Sequence, residues 1–179
     1  MTWFHTTIKE KVPVILEQGL RTDPGQYEMT QTGSWAEEFY SVWPIFVSRE
    51  PWSNEPGEEF LELDLRGLSL VADLPSLVDH GAYIDEGTMW WESGQEPEAL
   101  KPYLEDGALG ISMLLQPGSE ASRAAIQTTE TAAVIENISP ERIRRARIEK
   151  YSGIFLGRSK NRREGSKNAK RYHVIGDNS

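Results

Sequence analysis

The chain has 179 residues, the length of one ordinary domain, and its 38% hydrophobic content with six tryptophans excludes a wholly disordered protein. No apolar run approaches the roughly 18 residues that a membrane helix needs, and the N-terminus lacks the features of a secretory signal, so we expect a cytoplasmic protein. The absence of cysteine excludes disulfides and thiolate metal ligands.

The net charge of -9 is divided unevenly along the chain. Residues 1–141 contain 7 Lys/Arg and 25 Asp/Glu, whereas residues 142–179 contain 12 Lys/Arg and 3 Asp/Glu. We therefore predict one domain over residues 1–157 and a solvated basic tail over 158–179. An anionic partner for this tail would be nucleic acid or the acidic body itself, and the body is suited to a basic protein partner.

The first predicted elements are a strand over residues 2–6 and a short helix from Val12. Thr7 and Glu10 have the spacing of a capping box before this helix, and Gly19 is predicted to cap its end. This arrangement presents a histidine where the strand leads into the helix. On residue type alone, such a histidine beside two threonines is a hydrogen-bonded structural residue.

His5 and Thr7, followed by the helix VPVIL and Gly-Leu, resemble the start of small ADP-ribosyltransferase-like proteins. This superfamily includes DNA-targeting ADP-ribosyltransferase toxins and tRNA 2'-phosphotransferases. The resemblance implies an α+β fold with a split, mainly antiparallel β-sheet core and short flanking helices. It also implies NAD as cofactor, with His5 and the adjacent Thr6 at its ribose and nicotinamide end.

Residues 21–44 are predicted to form a loop, with a short helix over Ser34–Tyr40. In the superfamily this region often forms part of the NAD pocket. The resemblance therefore makes Trp35, Tyr40 and Trp43 candidates to stack on a ring of NAD. The alternative interpretation, which is equally supported, is that these aromatic side chains fill the core or cover an edge of the sheet.

A short apolar strand follows and ends at Ser48. It is similar to the superfamily's second strand, which implies that Phe46 and Ser48 lie at the nicotinamide, with Ser48 at the carboxamide. Many members place a stacking tyrosine in this region, but here the next tyrosine after Ser48 is Tyr83. Phe46, Trp52 or Tyr40 would have to take its place.

Further strands are predicted over residues 60–66, 69–72 and 111–115, and one or two helical turns over 120–126. The strand FLELDLR alternates leucines with charged residues, which is typical of a half-buried strand. Trp90-Trp91 is expected to be either a plug over the core or a lid over a pocket.

Several carboxylates and one histidine lie close together in the sequence, namely Asp73, Asp79, His80, Asp85 and Glu86. A metal site needs ligands at defined spacing, such as two histidines four positions apart on a helix. The single histidine does not provide this pattern, so we expect no metal.

Near the end of the domain, residues 132–138 are predicted to form a strand, with Ser139 as a cap and Pro140 opening a helical turn. A glutamate before a strand that runs into Ile-x-Pro-Glu-x-Ile is similar to the closing arrangement of the superfamily. The resemblance implies that Glu130 is the catalytic glutamate, with Glu136 as the alternative.

The implied function is NAD-dependent transfer of ADP-ribose to a protein or nucleic acid, with release of nicotinamide. Cleavage of the nicotinamide–ribose bond passes through an oxocarbenium-like state, which a carboxylate such as Glu130 stabilises while His5 orients the ribose. Two alternatives stay open. One is a non-catalytic binding or inhibitor protein of phage or mobile-element type, and the other is an RNA 2'-phosphotransferase.

Overall fold

The described residues gather in two compact units. The computed structural model describes residues 2–23, 38–53, 57–150 and 170–174. Unit 1 comprises Met1–Leu20, Val47–Arg66 and Ile138–Ser179, and unit 2 comprises Arg21–Phe46 and Gly67–Asn137. Short helices and antiparallel strands occur together, so this part of the chain has an α+β fold.

The strands in chain order are β1 (Trp3–Ile8), β2 (Ile45–Ser48), β3 (Trp52–Ser53), β4 (Glu58–Leu63), β5 (Leu70–Val71), β6 (Tyr83–Asp85), β7 (Thr88–Trp90), β8 (Ala108–Gly110), β9 (Thr131–Val134), β10 (Ile143–Arg145), β11 (Ile148–Lys150) and β12 (Lys170–Val174). The helices are α1 (Val12–Gln18), α2 (Leu74–Asp79), α3 (Ile111–Leu114) and α4 (Glu120–Thr129), with short 3-10 turns at Lys9–Lys11, Lys101–Tyr103 and Pro140–Arg142. Among the described helices, none is long and apolar enough to cross a membrane.

The main sheet of unit 1 is built around β4. Strand β1 pairs with it from Trp3↔Leu63 to Ile8↔Glu58, and β10 pairs along its other side. The predicted burial of the leucines of FLELDLR is confirmed, because Leu61, Leu63 and Leu65 are all buried. Phe60 on the opposite face is also only 6% exposed, so both faces of β4 are covered at this point.

The connection from β1 to α1 differs from its prediction. Strand β1 continues to Ile8, so Thr7 is a buried strand residue opposite Glu59 and does not form a capping box with Glu10. The helix begins at Val12 as predicted, with a proline in its first turn. The backbone of Gly19, at φ 83°, ends the helix, and an added Cβ would lie 2.3 Å from the Ile138 carbonyl oxygen.

The last strands of unit 1 include part of the predicted tail. Strand β12 pairs with β11 from Ile148↔Val174 to Lys150↔Tyr172, and it pairs with β3 through Lys170↔Ser53 and Arg171↔Trp52. Residues 151–169 lie outside the described part of the chain.

Unit 2 has a core formed by helices α2, α3 and α4 together with strands β5 and β9 and the sheet β6–β7–β8. Its buried members include Val71, Leu74, Leu77, Met89, Trp91, Leu100, Leu109, Ile111, Leu114, Ala121, Ala125 and Ala133. Met89 and Trp91 are therefore core residues, which favours the plug over the lid.

The prediction of a strand over residues 111–115 is wrong, because this segment forms helix α3. A strand would place Ile111, Met113 and Leu115 on one face. Instead Ile111 and Leu114 are buried at helical spacing, and Met113 is 46% exposed. The backbone N–H of Leu115 donates to the Ile111 carbonyl at 3.0 Å, as expected for a helical turn.

Helix α4 is longer than its prediction and leads directly to the candidate catalytic glutamate. Ser119 caps its start by accepting a hydrogen bond from the Ser122 backbone N–H at 3.0 Å. Small buried residues, among them Ala121 and Ala125, let this helix pack closely in the core. It ends at Thr129, immediately before Glu130.

Candidate active site

His5 lies near the middle of β1 and is half-buried. In the ladder with β4 it is opposite Leu61, whereas Thr6 is opposite Phe60. Because side chains alternate between the two faces of a strand, His5 and Thr6 lie on opposite faces of the unit 1 sheet. These two predicted NAD contacts therefore do not share a face.

Ser48 lies on the same face of the sheet as Thr6. Its partner in β1 is Phe4, and residues opposite each other in a ladder share a face. The register therefore separates Ser48 from His5, which belongs to the other face. The Ser48 side chain is buried, and its hydroxyl donates to the Glu50 carbonyl oxygen at 2.7 Å.

Tyr40 is part of the core of unit 2. Its hydroxyl donates to the Ala72 carbonyl at 2.8 Å and accepts from the Leu74 backbone N–H at 3.1 Å, and burial raises the pKa of this phenol. The ring meets Phe46 edge to face, with centroids 6.0 Å apart. Tyr40 therefore fits the interpretation as a core aromatic and has little free surface on which a nicotinamide ring could stack.

Phe46 is the more accessible of the two rings, because it is half-buried and packs against the unit 2 core. Trp35, another predicted stacking residue, and most of the helix predicted over Ser34–Tyr40 lie outside the described residues.

Glu130 lies between helix α4 and strand β9, in a left-handed backbone conformation with φ 56° and ψ 24°. Its backbone N–H donates to the Ile126 carbonyl at 2.9 Å and so closes the helix. A non-glycine residue with positive φ is uncommon and carries a conformational cost. The side chain is exposed, and no described residue forms a hydrogen bond or ion pair with its carboxylate.

Glu136, the alternative catalytic residue, has a different environment. Its carboxylate accepts a short hydrogen bond from the Ser69 backbone N–H at 2.5 Å. The contact holds the chain just before β5, so this glutamate already serves the fold of unit 2. The Glu136 carboxylate is therefore engaged in a backbone hydrogen bond, whereas the Glu130 carboxylate has no such bond among the described residues.

Asp73 belongs to the group of carboxylates that the sequence offered as metal ligands, but it has another role. It is 6% exposed and caps α2 by accepting from the Ser76 backbone N–H at 3.0 Å and from the Ser76 hydroxyl at 2.8 Å. The spacing D-x-x-S before a helix was a sequence signal for this cap. Among the described residues, no group of three or more histidines and carboxylates is arranged to hold a metal ion.

No family model, curated protein or solved structure matches this chain.

Proposed function

We propose that the chain is an NAD-dependent enzyme that transfers ADP-ribose to a macromolecule and releases nicotinamide, on an ADP-ribosyltransferase-like split sheet. The observation that carries this proposal is the environment of Glu130. Strained backbone that the surrounding structure maintains is concentrated at functional positions. Here it presents an exposed carboxylate, unpaired among the described residues, at the position that the sequence resemblance assigns to catalysis.

In the proposed reaction, the bond between the ribose C1' and the nicotinamide nitrogen breaks, and its electron pair leaves with neutral nicotinamide. The Glu130 carboxylate stabilises the positive charge that develops on the ribose and hydrogen-bonds a sugar hydroxyl. A nucleophile of the acceptor then bonds to C1' and loses its proton to solvent. The sequence resemblance gives His5, which belongs to unit 1, the role of orienting the ribose.

The role proposed for Ser48 is narrower than the sequence implied. Its hydroxyl proton is donated to Glu50, so its oxygen can only accept a further hydrogen bond. Because Ser48 is also buried on the face opposite to His5, the proposal gives it no direct contact with the NAD that His5 orients. Because Ser48 and His5 lie on opposite faces of the sheet, Ser48→Ala is expected to affect the affinity for NAD less than His5→Ala does.

The proposal is tested by incubating the protein with labelled NAD and a cell lysate, followed by protease and nuclease treatment to identify the class of acceptor. Glu130→Gln keeps the side-chain size and removes the charge. We expect it to lower label transfer at least about 100-fold, a loss on the scale of removing one group that stabilises a transition state.

Glu136→Gln is the matched control, because it makes the same chemical change at the glutamate that binds Ser69. It is expected to retain transfer within about threefold once the folded fraction is equal, since its effect is on stability. Full transfer by Glu130→Gln would move the catalytic role to another residue. A wild-type protein that transfers no label to any acceptor would contradict the proposal.

A second candidate function is a non-catalytic protein that binds a basic partner. The observations that favour it are the charge of unit 2, with 3 Lys/Arg against 16 Asp/Glu, and the burial of Tyr40. NAD separates the two functions. At 100 times its Kd, a bound ligand stabilises the fold by about 2.7 kcal/mol, so the enzyme is expected to melt several degrees higher with NAD and the binding protein is not.

A further inference from the structure

The turn that presents Glu130 is bracketed by two threonines whose hydroxyl groups contact each other. Thr129 is the last residue of α4 and Thr131 is the first of β9, and their Oγ1 atoms are 2.9 Å apart. The backbone N–H of Thr131 also donates to Thr129 Oγ1 at 3.3 Å. The chain on one side of Glu130 is thus connected to the chain on the other side.

The buried carboxylate of Asp73 joins this arrangement through the β-ladder. Strands β5 and β9 pair with Leu70 opposite Val134 and Val71 opposite Ala133. Continuing the same antiparallel register brings Asp73 opposite Thr131. In addition to the two bonds that Asp73 accepts from Ser76, its carboxyl interacts with the Thr131 side chain, which opposes the rise in pKa that burial causes.

The hydroxyl groups of Thr131 and Thr129 can connect to the Asp73 carboxyl whether Asp73 is ionised or neutral. If it is ionised, the Thr131 hydroxyl donates to it, and the Thr129 hydroxyl donates to Thr131. If it is neutral, it donates to Thr131, which donates to Thr129, and the Thr129 hydroxyl donates to the Ala125 carbonyl 3.1 Å away. Each proton is used once in both cases, so the network is complete.

We propose that Asp73 is a positioning residue, which through Thr131 and Thr129 holds the left-handed turn that presents the Glu130 carboxylate. The catalytic part of this inference rests on the proposed function. The physical basis is that a conformation of unfavourable φ persists only when surrounding groups fix it. Here a helix cap, a strand register and two hydroxyl contacts fix the residues on both sides of Glu130.

The test uses Thr131→Val, which removes the hydroxyl and keeps the β-branched shape that a strand favours. We expect the NMR backbone shifts and the amide exchange rate of Glu130 to change while the melting curve stays cooperative. In the NAD assay, kcat for nicotinamide release should fall about 10- to 100-fold, because small misplacements of a catalytic group have effects of this size. KM for NAD should change much less.

Thr131→Ser restores the hydroxyl and is expected to restore both the Glu130 shifts and kcat. Thr128→Val is the matched control, because the Thr128 hydroxyl donates only to the Ala124 carbonyl of its own helix, at 2.9 Å, and belongs to no contact of this network. It should leave both measurements close to wild type. If Thr131→Val does not fold, Thr129→Val interrupts the same network from the helix side.

Asp73→Asn tests whether Asp73, the residue of this network farthest from Glu130, acts on Glu130 through Thr131. If Asp73 acts through Thr131, its effect on the Glu130 shifts should be non-additive with that of Thr131→Val and additive with that of Thr128→Val. Glu130 shifts that are unchanged in Thr131→Val, or additive effects for Asp73 and Thr131, would overturn the inference. A wild type that releases no nicotinamide refutes the proposed function instead, and the NMR shifts then decide the inference by themselves.

Discussion

At the scale of single residues, two glutamates of similar sequence context have different physical roles. Glu136 is engaged by a backbone N–H of its own unit, whereas Glu130 is exposed at a left-handed turn. Residue type cannot distinguish them, because both are glutamates next to the apolar strand β9. The distinction comes from the pairing of β5 with β9, which brings the Ser69 region to Glu136.

The burial of Asp73 gives this residue a pH-dependent role in stability. Burial raises the pKa of this carboxyl, and the nearby charge of Asp79 raises it further, while hydrogen bonds from Ser76 and Thr131 oppose the shift. A folded-state pKa above the unfolded value means that the contribution to stability is fully present below the unfolded pKa of about 3.9. It is lost as the pH rises through the folded pKa.

We therefore expect the free energy of unfolding of Asp73→Asn, minus that of wild type, to increase with pH from about 4 upward and then level off. The asparagine keeps an acceptor for the Ser76 N–H, so the helix cap is preserved. Urea unfolding of both proteins at a series of pH values measures this difference. A difference that is constant with pH would mean that Asp73 has an ordinary pKa.

At the scale of elements, local patterns predicted several of the described strands and the helix α1. Strand β4 was predicted because leucines and charges alternate along it, and its observed bounds, Glu58–Leu63, are shifted toward the N-terminus. The end at Leu63 depends on distant residues: Arg142 donates to the carbonyls of Asp64 and Arg66, at 3.1 and 2.8 Å. These residues are far apart in the sequence, so no local pattern could predict that contact.

Helix α3 and the site residues also show that local patterns fail where contacts between distant residues decide the structure. Four of the five residues from 111 to 115 are apolar, which fits either a strand or a helical turn, and packing in the core of unit 2 selects the turn. The sequence placed Ser48 with His5, but the faces they occupy depend on the register between β1 and β2. A shift of one residue in that register would reverse the outcome.

The end of helix α1 allows a prediction about an element boundary. Gly19→Ala places a Cβ 2.3 Å from the Ile138 carbonyl oxygen and also imposes a positive φ on a non-glycine residue. The Leu20–Ile138 bridge, with hydrogen bonds of 2.9 and 2.8 Å, prevents an easy shift of the backbone. We expect a loss of more than about 2 kcal/mol in the free energy of unfolding.

Gly67→Ala is the control for the conformational part of that cost. Gly67 also has a positive φ, of 78°, but a Cβ there would meet nothing within 4 Å. Its substitution is expected to cost about 1 kcal/mol. Equal losses for the two variants, measured by urea unfolding, would show that the close approach of Ile138 has no energetic consequence.

At the scale of the whole molecule, charge is segregated between the two units. Unit 1 contains 16 Lys/Arg and 12 Asp/Glu, whereas unit 2 contains 3 Lys/Arg and 16 Asp/Glu. The described arginines of β10 are already paired with β4, Arg144 with Glu62 at 2.5 Å and Arg145 with Glu59 at 3.5 Å. The basic residues of the sequence between Gly157 and β12 are therefore the better candidates for an anionic partner.

Because β12 pairs with β3 and β11, deleting residues 158–179 would remove a strand as well as charge. Replacing Arg158, Lys160, Arg162 and Arg163 with glutamine removes four positive charges and leaves the sequence of β12 unchanged. If the tail binds nucleic acid, this variant should bind it more weakly, and the slope of log K against log salt should fall by about one for each phosphate that the variant no longer neutralises. The melting temperature should stay the same.

Glutamine at Arg144 and Arg145 is the control, which should leave the slope unchanged and weaken only surface ion pairs. Wild-type binding that does not respond to salt would exclude nucleic acid as the partner of this tail.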